Sequence, residues 1–173
     1  MMQAEGEIVR IPQRAKNAQP DFRSFFEDEH RRLFQTLYVV IGDRQEAADL
    51  MQESFLKLWE RWDRVNHMED PVAYLFRTAL NGNRMRLRAA RRHAGRRMPL
   101  GLVRDEFEDV ELREDVRQLL TALTPRQRAA LLLLDLYGYG SEEAGEILGV
   151  RSSTVRALAS QGRTVLRSTG RPA

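Results

Sequence analysis

The chain has 173 residues, of which 42% are apolar and 31% are charged, and it contains no cysteine. This length can bury the core of one domain or of two small ones. The lack of cysteine excludes disulfides, thiolate zinc sites and thiol nucleophiles, and the three histidines share no ligand spacing. Most familiar enzyme chemistry therefore lacks its reagents in this chain, and we expect no metal site and no cofactor.

The charges lie in blocks along the chain. Lysine and arginine number 28 against 25 acids, and nearly all of the cations are arginine. Eight arginines and no acid lie from Arg77 to Arg97, seven acids from Asp105 to Asp115, and five arginines after Glu146. Arginine favours bidentate contact with phosphates and base edges. Blocks of alternating sign indicate separate surfaces with separate partners.

The N-terminal residues 1–20 show no apolar period and no apolar stretch after their early acids. The longest uncharged apolar run, Ala129 to Leu134, is far shorter than the roughly 20 residues of a membrane helix. We therefore expect a mobile arm over 1–20, no secretory signal, no membrane insertion and a cytoplasmic location.

Two helices are predicted after this arm. Apolar residues recur at steps of three and four from Phe22 to Ile41, and Gly42 ends this first helix. A second helix is predicted from about Arg44 to Val65. Its apolar face includes Trp59 and Trp62, which we expect in the core. The opposite face is acidic and consists of Glu46, Asp49, Glu53 and Glu60.

A third helix is predicted to begin at Pro71, with Asp70 as its cap. Its apolar stripe is Val72, Leu75, Phe76, Ala79 and Leu87. At about 100° per residue, an acid-free polar face spans roughly 80° of arc on the other side. That face consists of Arg77, Asn81, Arg84, Arg88 and Arg91. Residues 93–110 hold glycine, proline and acids without a clear period, which is typical of a linker.

The last third of the chain is again helical. An amphipathic segment from Leu112 to Leu123 precedes a capping box at Thr124-Pro125, and that helix is predicted to end near Gly138. The segment from Glu142 to Leu148, a turn at Gly149 and a final helix to about Ser168 predict a helix-turn-helix. The outer stripe of the final helix carries Arg156, Ser160, Arg163 and Arg167.

The pattern contains no strand and no fixed-period repeat. It predicts an all-α protein with two small helical domains, residues 21–92 and 111–169, joined by a flexible linker over 93–110. Two cationic helix faces in separate domains indicate a DNA-binding protein that touches two places at once.

At this point the motifs become specific to a family. The stretches Asp49 to Trp59 and Tyr74 to Asn81 resemble region 2 of the sigma-70 family. Four further stretches resemble region 4 of the same family. These are Thr124 to Arg128, Asp135 to Gly138, Glu142-Glu143 and Ile147 to Arg156. The resemblance is narrowest to the extracytoplasmic-function (ECF) sigma factors, which keep only regions 2 and 4. It implies a dissociable subunit of bacterial RNA polymerase that gives promoter specificity and helps to open DNA, and that is not itself an enzyme and has no catalytic residue.

The resemblance also implies a role for each region. The second helix would bind the β′ clamp helices of core polymerase, with the β subunit as a further contact. The implied residues are Asp49, Gln52, Glu53, Leu56 and Glu60. The third helix would capture the minus-10 element, with Asn81 reading a flipped base between the phosphate-binding residues Arg77, Arg84, Arg88 and Arg91.

The final helix would enter the major groove at the minus-35 element. The implied residues are Arg151, Ser153, Thr154, Arg156, Ala157, Ser160, Gln161 and Arg163. An anti-sigma protein is a further expected partner. The sequence departs from the family pattern at Met85, where an aspartate is common, and at Gly140, where a serine cap is usual. Leu158 and Gln161 occupy positions where basic residues are frequent.

Two other functions stay open from sequence. One is a free-standing helix-turn-helix regulator that binds duplex DNA without polymerase. The other is a sigma-like interaction module that binds polymerase or an anti-sigma protein and reads no promoter.

Overall fold

The computed structural model describes residues 21–92 and 114–169, and every regular element within these two ranges is helical. The all-α prediction is confirmed. The predicted arm over 1–20 and the predicted linker over 93–110 lie outside the described residues. The N-terminal half, 21–92, holds helices α1 (Phe22–Ile41), α2 (Arg44–Trp59), α3 (Trp62–Val65) and α4 (Pro71–Arg92). The C-terminal half, 114–169, holds α5 (Glu114–Thr121), α6 (Pro125–Leu131), a π-helical turn (Leu132–Leu136), α7 (Ser141–Leu148) and α8 (Ser152–Thr169).

Local side-chain chemistry sets most of the helix ends. The Asp21, Asp43 and Asp70 carboxylates accept the backbone N–H groups of the first turns of α1, α2 and α4 at 2.7 to 2.8 Å. These N–H groups have no acceptor inside their own helix, so each carboxylate supplies a hydrogen bond that the N–H group would otherwise lack. Gly42 ends α1 with φ 82°, a left-handed conformation that glycine adopts without strain. The predicted ends at Gly42 and Asp70 are confirmed.

The second helix is shorter than predicted. It ends at Trp59, and a turn at Glu60 and Arg61 separates it from the short helix α3. The prediction that Trp59 lies in the core is wrong, because its side chain is 58% exposed. Its ring packs edge-on against Phe22 at 4.8 Å, while the turn leaves the remaining surface open to solvent. Trp62 is half-buried against Phe25.

The buried apolar side chains form a continuous core through both halves. Phe34, Leu58 and Phe76 are fully buried in the N-terminal half, and Leu133 and Val155 are fully buried in the C-terminal half. The core is continuous because α1 packs against α6 and α4 packs against α7. The two predicted domains are therefore docked onto one another, a contact that the sequence pattern did not predict.

Arg128 is a central residue of this docking. Its Nη1 donates to the carbonyl oxygens of Val39 and Val40 at 3.2 and 3.1 Å. Its Nε and Nη2 donate to the carbonyls of Leu120 and Leu123 at 2.8 and 3.0 Å. Val39 and Val40 lie in the last turn of α1, where carbonyls lack helical partners and carry the negative end of the helix dipole. Arg128 thus caps α1 from the opposite half, and burial lowers the pKa of its guanidinium.

Tyr137 forms a second docking contact, just after the π-helical turn. Its hydroxyl shares a hydrogen bond with the Thr36 hydroxyl of α1. Its ring lies 5.4 Å from the Phe76 ring and 4.2 Å from the Arg32 guanidinium. Burial raises the pKa of Tyr137 and holds its hydroxyl in the neutral form. The backbone N–H of Tyr137 donates to the Leu132 carbonyl at 2.9 Å and closes the π-helical turn.

Candidate protein and nucleic-acid interfaces

The outer face of α2 combines acids with exposed apolar side chains. Asp49, Gln52, Glu53 and Leu56 lie on this face, and Glu60 follows immediately in the turn. Leu56 is 60% exposed, and Trp59 lies beside it. Apolar side chains surrounded by polar ones are typical of a surface that binds another protein. The predicted residues are brought together here, with Trp59 added by the structure.

The acids of this face are held in place by neighbouring side chains. Asp49 accepts a hydrogen bond from Gln45 Nε2 at 3.0 Å, and Glu53 pairs with Lys57 Nζ at 2.7 Å. Such exposed pairs contribute little to stability. Sequence reasoning missed Trp59 as part of this face. At about 100° per residue it lies only about 20° from Gln52 around the helix, and that angle was the signal for its exposure.

The polar face of α4 is described only in its first half. Arg77 is exposed, and Asn81, four residues later, is half-buried on the same face. The α4 backbone continues to Arg92, so that Arg84, Arg88 and Arg91 follow along the same helix. The side chains of these three arginines lie outside the described residues.

Two further arginines lie beside the start of α4. Arg61 Nη1 donates to the Tyr74 hydroxyl at 3.2 Å, and this hydrogen bond is the main cause of a lowered Tyr74 pKa. Arg64 is exposed next to it and acts on the same hydroxyl. An open cleft lined by residues 59–64 lies alongside. Sequence reasoning missed Arg61 and Arg64, because they lie on another element and share no helical stripe with α4.

The predicted helix-turn-helix is present. Gly149 adopts φ 63° between α7 and α8, and the N–H of Val150 donates to the Gly145 carbonyl at 2.9 Å. A Cβ on Gly145 would lie 2.8 Å from the Val150 carbonyl oxygen, so the tight turn favours glycine there. Ile147 of α7 and Val155 of α8 are buried between the two helices.

The structure exposes all eight residues that the resemblance assigned to the minus-35 element. These are Arg151, Ser153, Thr154, Arg156, Ala157, Ser160, Gln161 and Arg163. The departure at Gly140 is partly offset, since the Glu143 carboxylate accepts the Gly140 N–H at 2.7 Å and caps α7 from within the helix.

Two arginines of α8 reach back to other elements of the C-terminal half. Arg156 Nη1 donates to the Ser141 hydroxyl at 3.0 Å. Arg163 forms a bidentate ion pair with Asp135 of the π-helical turn, with Nε 3.0 Å from Oδ2. The hydrogen bond to Asp135 raises the pKa of Arg163, which stays charged.

Among residues 21–92 and 114–169, no group of three or more histidines, acids or cysteines is arranged to hold a metal ion. Over the same residues, no helix is both long enough and apolar enough to cross a bilayer.

The fold and these surfaces define a helical protein with a helix-turn-helix and an exposed, partly apolar α2 face. Family models identify it further. The model for sigma-70 region 2 matches residues 25–93, and the model for sigma-70 region 4 matches residues 113–166. The chain belongs to the sigma-70 family and to its extracytoplasmic-function group.

Curated relatives agree with this assignment. The chain is 30% identical over 178 residues to the ECF RNA polymerase sigma factor SigG of Mycobacterium tuberculosis, covering 86% of this chain and 48% of SigG. It is 26% identical over 174 residues to SigW of Bacillus subtilis, covering 91% and 93% of the two chains. The chain thus spans about half the length of SigG and nearly all of SigW.

Solved structures show the same fold. The sigma factor RpoE of Bartonella quintana, crystallised with the anti-sigma factor NepR, aligns with a TM-score of 0.66 at 22% identity. The alignment covers 86% of this chain and 96% of RpoE. The extracytoplasmic-function sigma factor SigJ of Mycobacterium tuberculosis aligns with a TM-score of 0.57 at 28% identity, over 84% and 53% of the two chains.

Proposed function

We propose that this protein is an ECF sigma factor that directs core RNA polymerase to specific promoters and assists DNA opening. The observation that carries the proposal is the presence of regions 2 and 4, in this order, with exposed faces on α2 and α8. A free-standing helix-turn-helix regulator would have no need of region 2, which matches residues 25–93. The proposed role is that of a non-enzymatic initiation factor acting in the cytoplasm.

The α2 face is the proposed site for core polymerase, through the β′ clamp helices. Leu56 and Trp59 supply exposed apolar area, and Asp49, Glu53 and Glu60 supply negative charge beside it. Apolar side chains contribute most of the binding energy in such an interface, and charges select the partner and speed association. Gln52 lies between these groups and completes the face.

Charge reversal of this face tests the proposal. The double variant D49K/E53K is expected to weaken association with bacterial core polymerase by about 100-fold or more, since lost charge pairs at interfaces cost roughly 2 to 5 kcal/mol. The measurement is co-purification and titration with core enzyme, with circular dichroism as the test of helicity.

The double variant E142K/E146K is the matched control, because it reverses two exposed acids at the same spacing on α7. It is expected to bind core enzyme like the wild type. Normal binding by a folded D49K/E53K would remove the α2 face from the proposal.

The polar face of α4 is the proposed site for the minus-10 element. Asn81 offers a donor and an acceptor together, which suits the Watson–Crick edge of a base taken out of the stack. Arg77, and Arg84, Arg88 and Arg91 further along the helix, would hold phosphates. Arg61 and Arg64 add positive charge near the start of α4.

Helix α8 is the proposed reader of the minus-35 element, lying in the major groove. Its exposed side carries mainly small side chains, among them Ser153, Ala157 and Ser160. These permit close approach to the groove floor but offer few base-specific contacts. We therefore expect modest reading of sequence by α8 alone, strengthened when polymerase tethers both halves to one promoter.

Simultaneous contact with both elements requires the two halves to separate. By their numbering the elements lie about 25 bp apart, which is roughly 85 Å of B-DNA. A packed body of about 130 residues has a radius of gyration near 14 Å and is under about 40 Å across. The docked arrangement is therefore a state that precedes promoter binding.

An anti-sigma protein is a proposed further partner of this chain. RpoE of Bartonella quintana, which aligns over 96% of its length, was crystallised with the anti-sigma factor NepR. The exposed Leu56 and Trp59 offer the kind of apolar surface that such an inhibitor could compete for.

A further inference from the structure

The ion pair between Asp135 and Arg163 joins the π-helical turn to the candidate recognition helix. Asp135 accepts from both Nε and Nη2 of Arg163, in the parallel geometry that makes arginine–carboxylate pairs strong and specific. The two side chains are 47% and 45% exposed, so the pair lies at the surface and is open to other ligands.

This pair lies on the flank of α8 that faces phosphates in a helix-turn-helix complex. At about 100° per residue, Arg156, Arg163 and Arg167 fall within about 40° of one another along α8. Arg156 bonds to Ser141, the first residue of α7. In helix-turn-helix complexes the first helix crosses the DNA backbone, so this arginine flank is the side next to phosphates.

Building on the proposed function, we propose that Asp135 is an internal counter-ion of the recognition helix, which neutralises Arg163 and keeps the affinity of α8 for any DNA low. The carboxylate occupies two of the five guanidinium donors and repels an approaching phosphate. Arg163 therefore adds nothing to the counterion release that drives non-specific DNA binding. Promoter recognition then depends on the tethered complex instead of on α8 alone.

The proposal predicts how salt affects binding. Each phosphate that a protein cation neutralises makes the slope of log K against log salt steeper by about 0.9. Between 50 and 200 mM salt, this steeper slope corresponds to a further loss of affinity of roughly 3.5-fold. Removing the Asp135 charge frees Arg163 for one such contact. Removing Arg163 alone leaves an unpaired acid beside the phosphates, whereas removing both charges restores a neutral pair.

The test is a titration of a mixed-sequence duplex of about 20 bp with the full chain at several salt concentrations between 50 and 200 mM. D135N is expected to bind more tightly than the wild type, with a salt slope steeper by about 0.9. R163Q is expected to bind more weakly than the wild type. The double variant D135N/R163Q is expected to return to the wild-type slope, and circular dichroism verifies that all variants fold.

The matched control is E146Q, which removes an exposed carboxylate from α7 in the same half. An equal gain in E146Q would assign the effect to net charge and overturn the role of Asp135. Weaker, unchanged or undetectable binding by D135N would overturn it as well. The assay contains no polymerase, so its outcome is independent of the D49K/E53K experiment that tests the proposed function.

Discussion

The Phe76→Ala variant is expected to lose about 3 to 5 kcal/mol of unfolding free energy, the range for truncating a fully buried aromatic side chain. Phe76 has no exposed surface, and it packs in the core of the N-terminal half. Its ring also contacts Tyr137 of the C-terminal half and lies 5.4 Å from the Arg32 guanidinium. The cavity would weaken both the core and the docking between the halves. Urea unfolding followed by circular dichroism measures the loss.

Arg77→Ala is the matched control for this variant. Arg77 follows Phe76 on α4 but is exposed, so its truncation is expected to change stability by less than about 0.5 kcal/mol. A loss below about 1 kcal/mol for Phe76→Ala would contradict the packing described for α4.

Arg128→Met is expected to cost about 2 to 4 kcal/mol, because four carbonyl oxygens lose a charged donor and become poorly satisfied. Two of these carbonyls close the end of α1, one is that of Leu120 in the last turn of α5, and one is that of Leu123 between α5 and α6. Methionine keeps much of the aliphatic stem but donates no hydrogen bond. We expect the wild type to unfold in one transition, because its core is continuous, and the variant to unfold in two, because the halves lose a principal contact.

The comparison variant is Arg126→Met, two residues earlier on α6, where the side chain is exposed. It carries the same chemical change and is expected to unfold like the wild type. Equal stability of Arg126→Met and Arg128→Met would show that the bonds to Val39 and Val40 do not hold the halves together.

Features set by a few neighbouring residues were predictable from sequence. The end of α1 at Gly42 requires only a residue that tolerates positive φ. The start of α6 at Thr124 follows from a reciprocal capping box with Gln127, which the structure contains. The turn at Gly149 is likewise local, and it places α7 against α8.

Features that depend on distant residues were not predictable. The Tyr137 hydroxyl meets Thr36 across 101 positions of chain, and Arg128 meets Val39 across 89. Arg163 shares a helical stripe with Arg156, and that pattern predicts a cationic face, whereas in the structure Asp135 pairs with Arg163 from another element. Helical periodicity assigns a residue to a face of its helix but does not identify the element that packs against that face. The exposure of Trp59 is a local feature, because this residue lies about 20° from the exposed Gln52 around α2 and a turn at Glu60 follows it.

The central claim is that this chain confers promoter-specific initiation on core RNA polymerase. Run-off transcription measures it most directly, with purified core enzyme and a library of promoter templates, in the presence and absence of the chain. Defined transcripts that require the chain, and that disappear with D49K/E53K, are the expected result. Association with core enzyme without any chain-dependent transcript would contradict the account and favour a sigma-like module that reads no promoter.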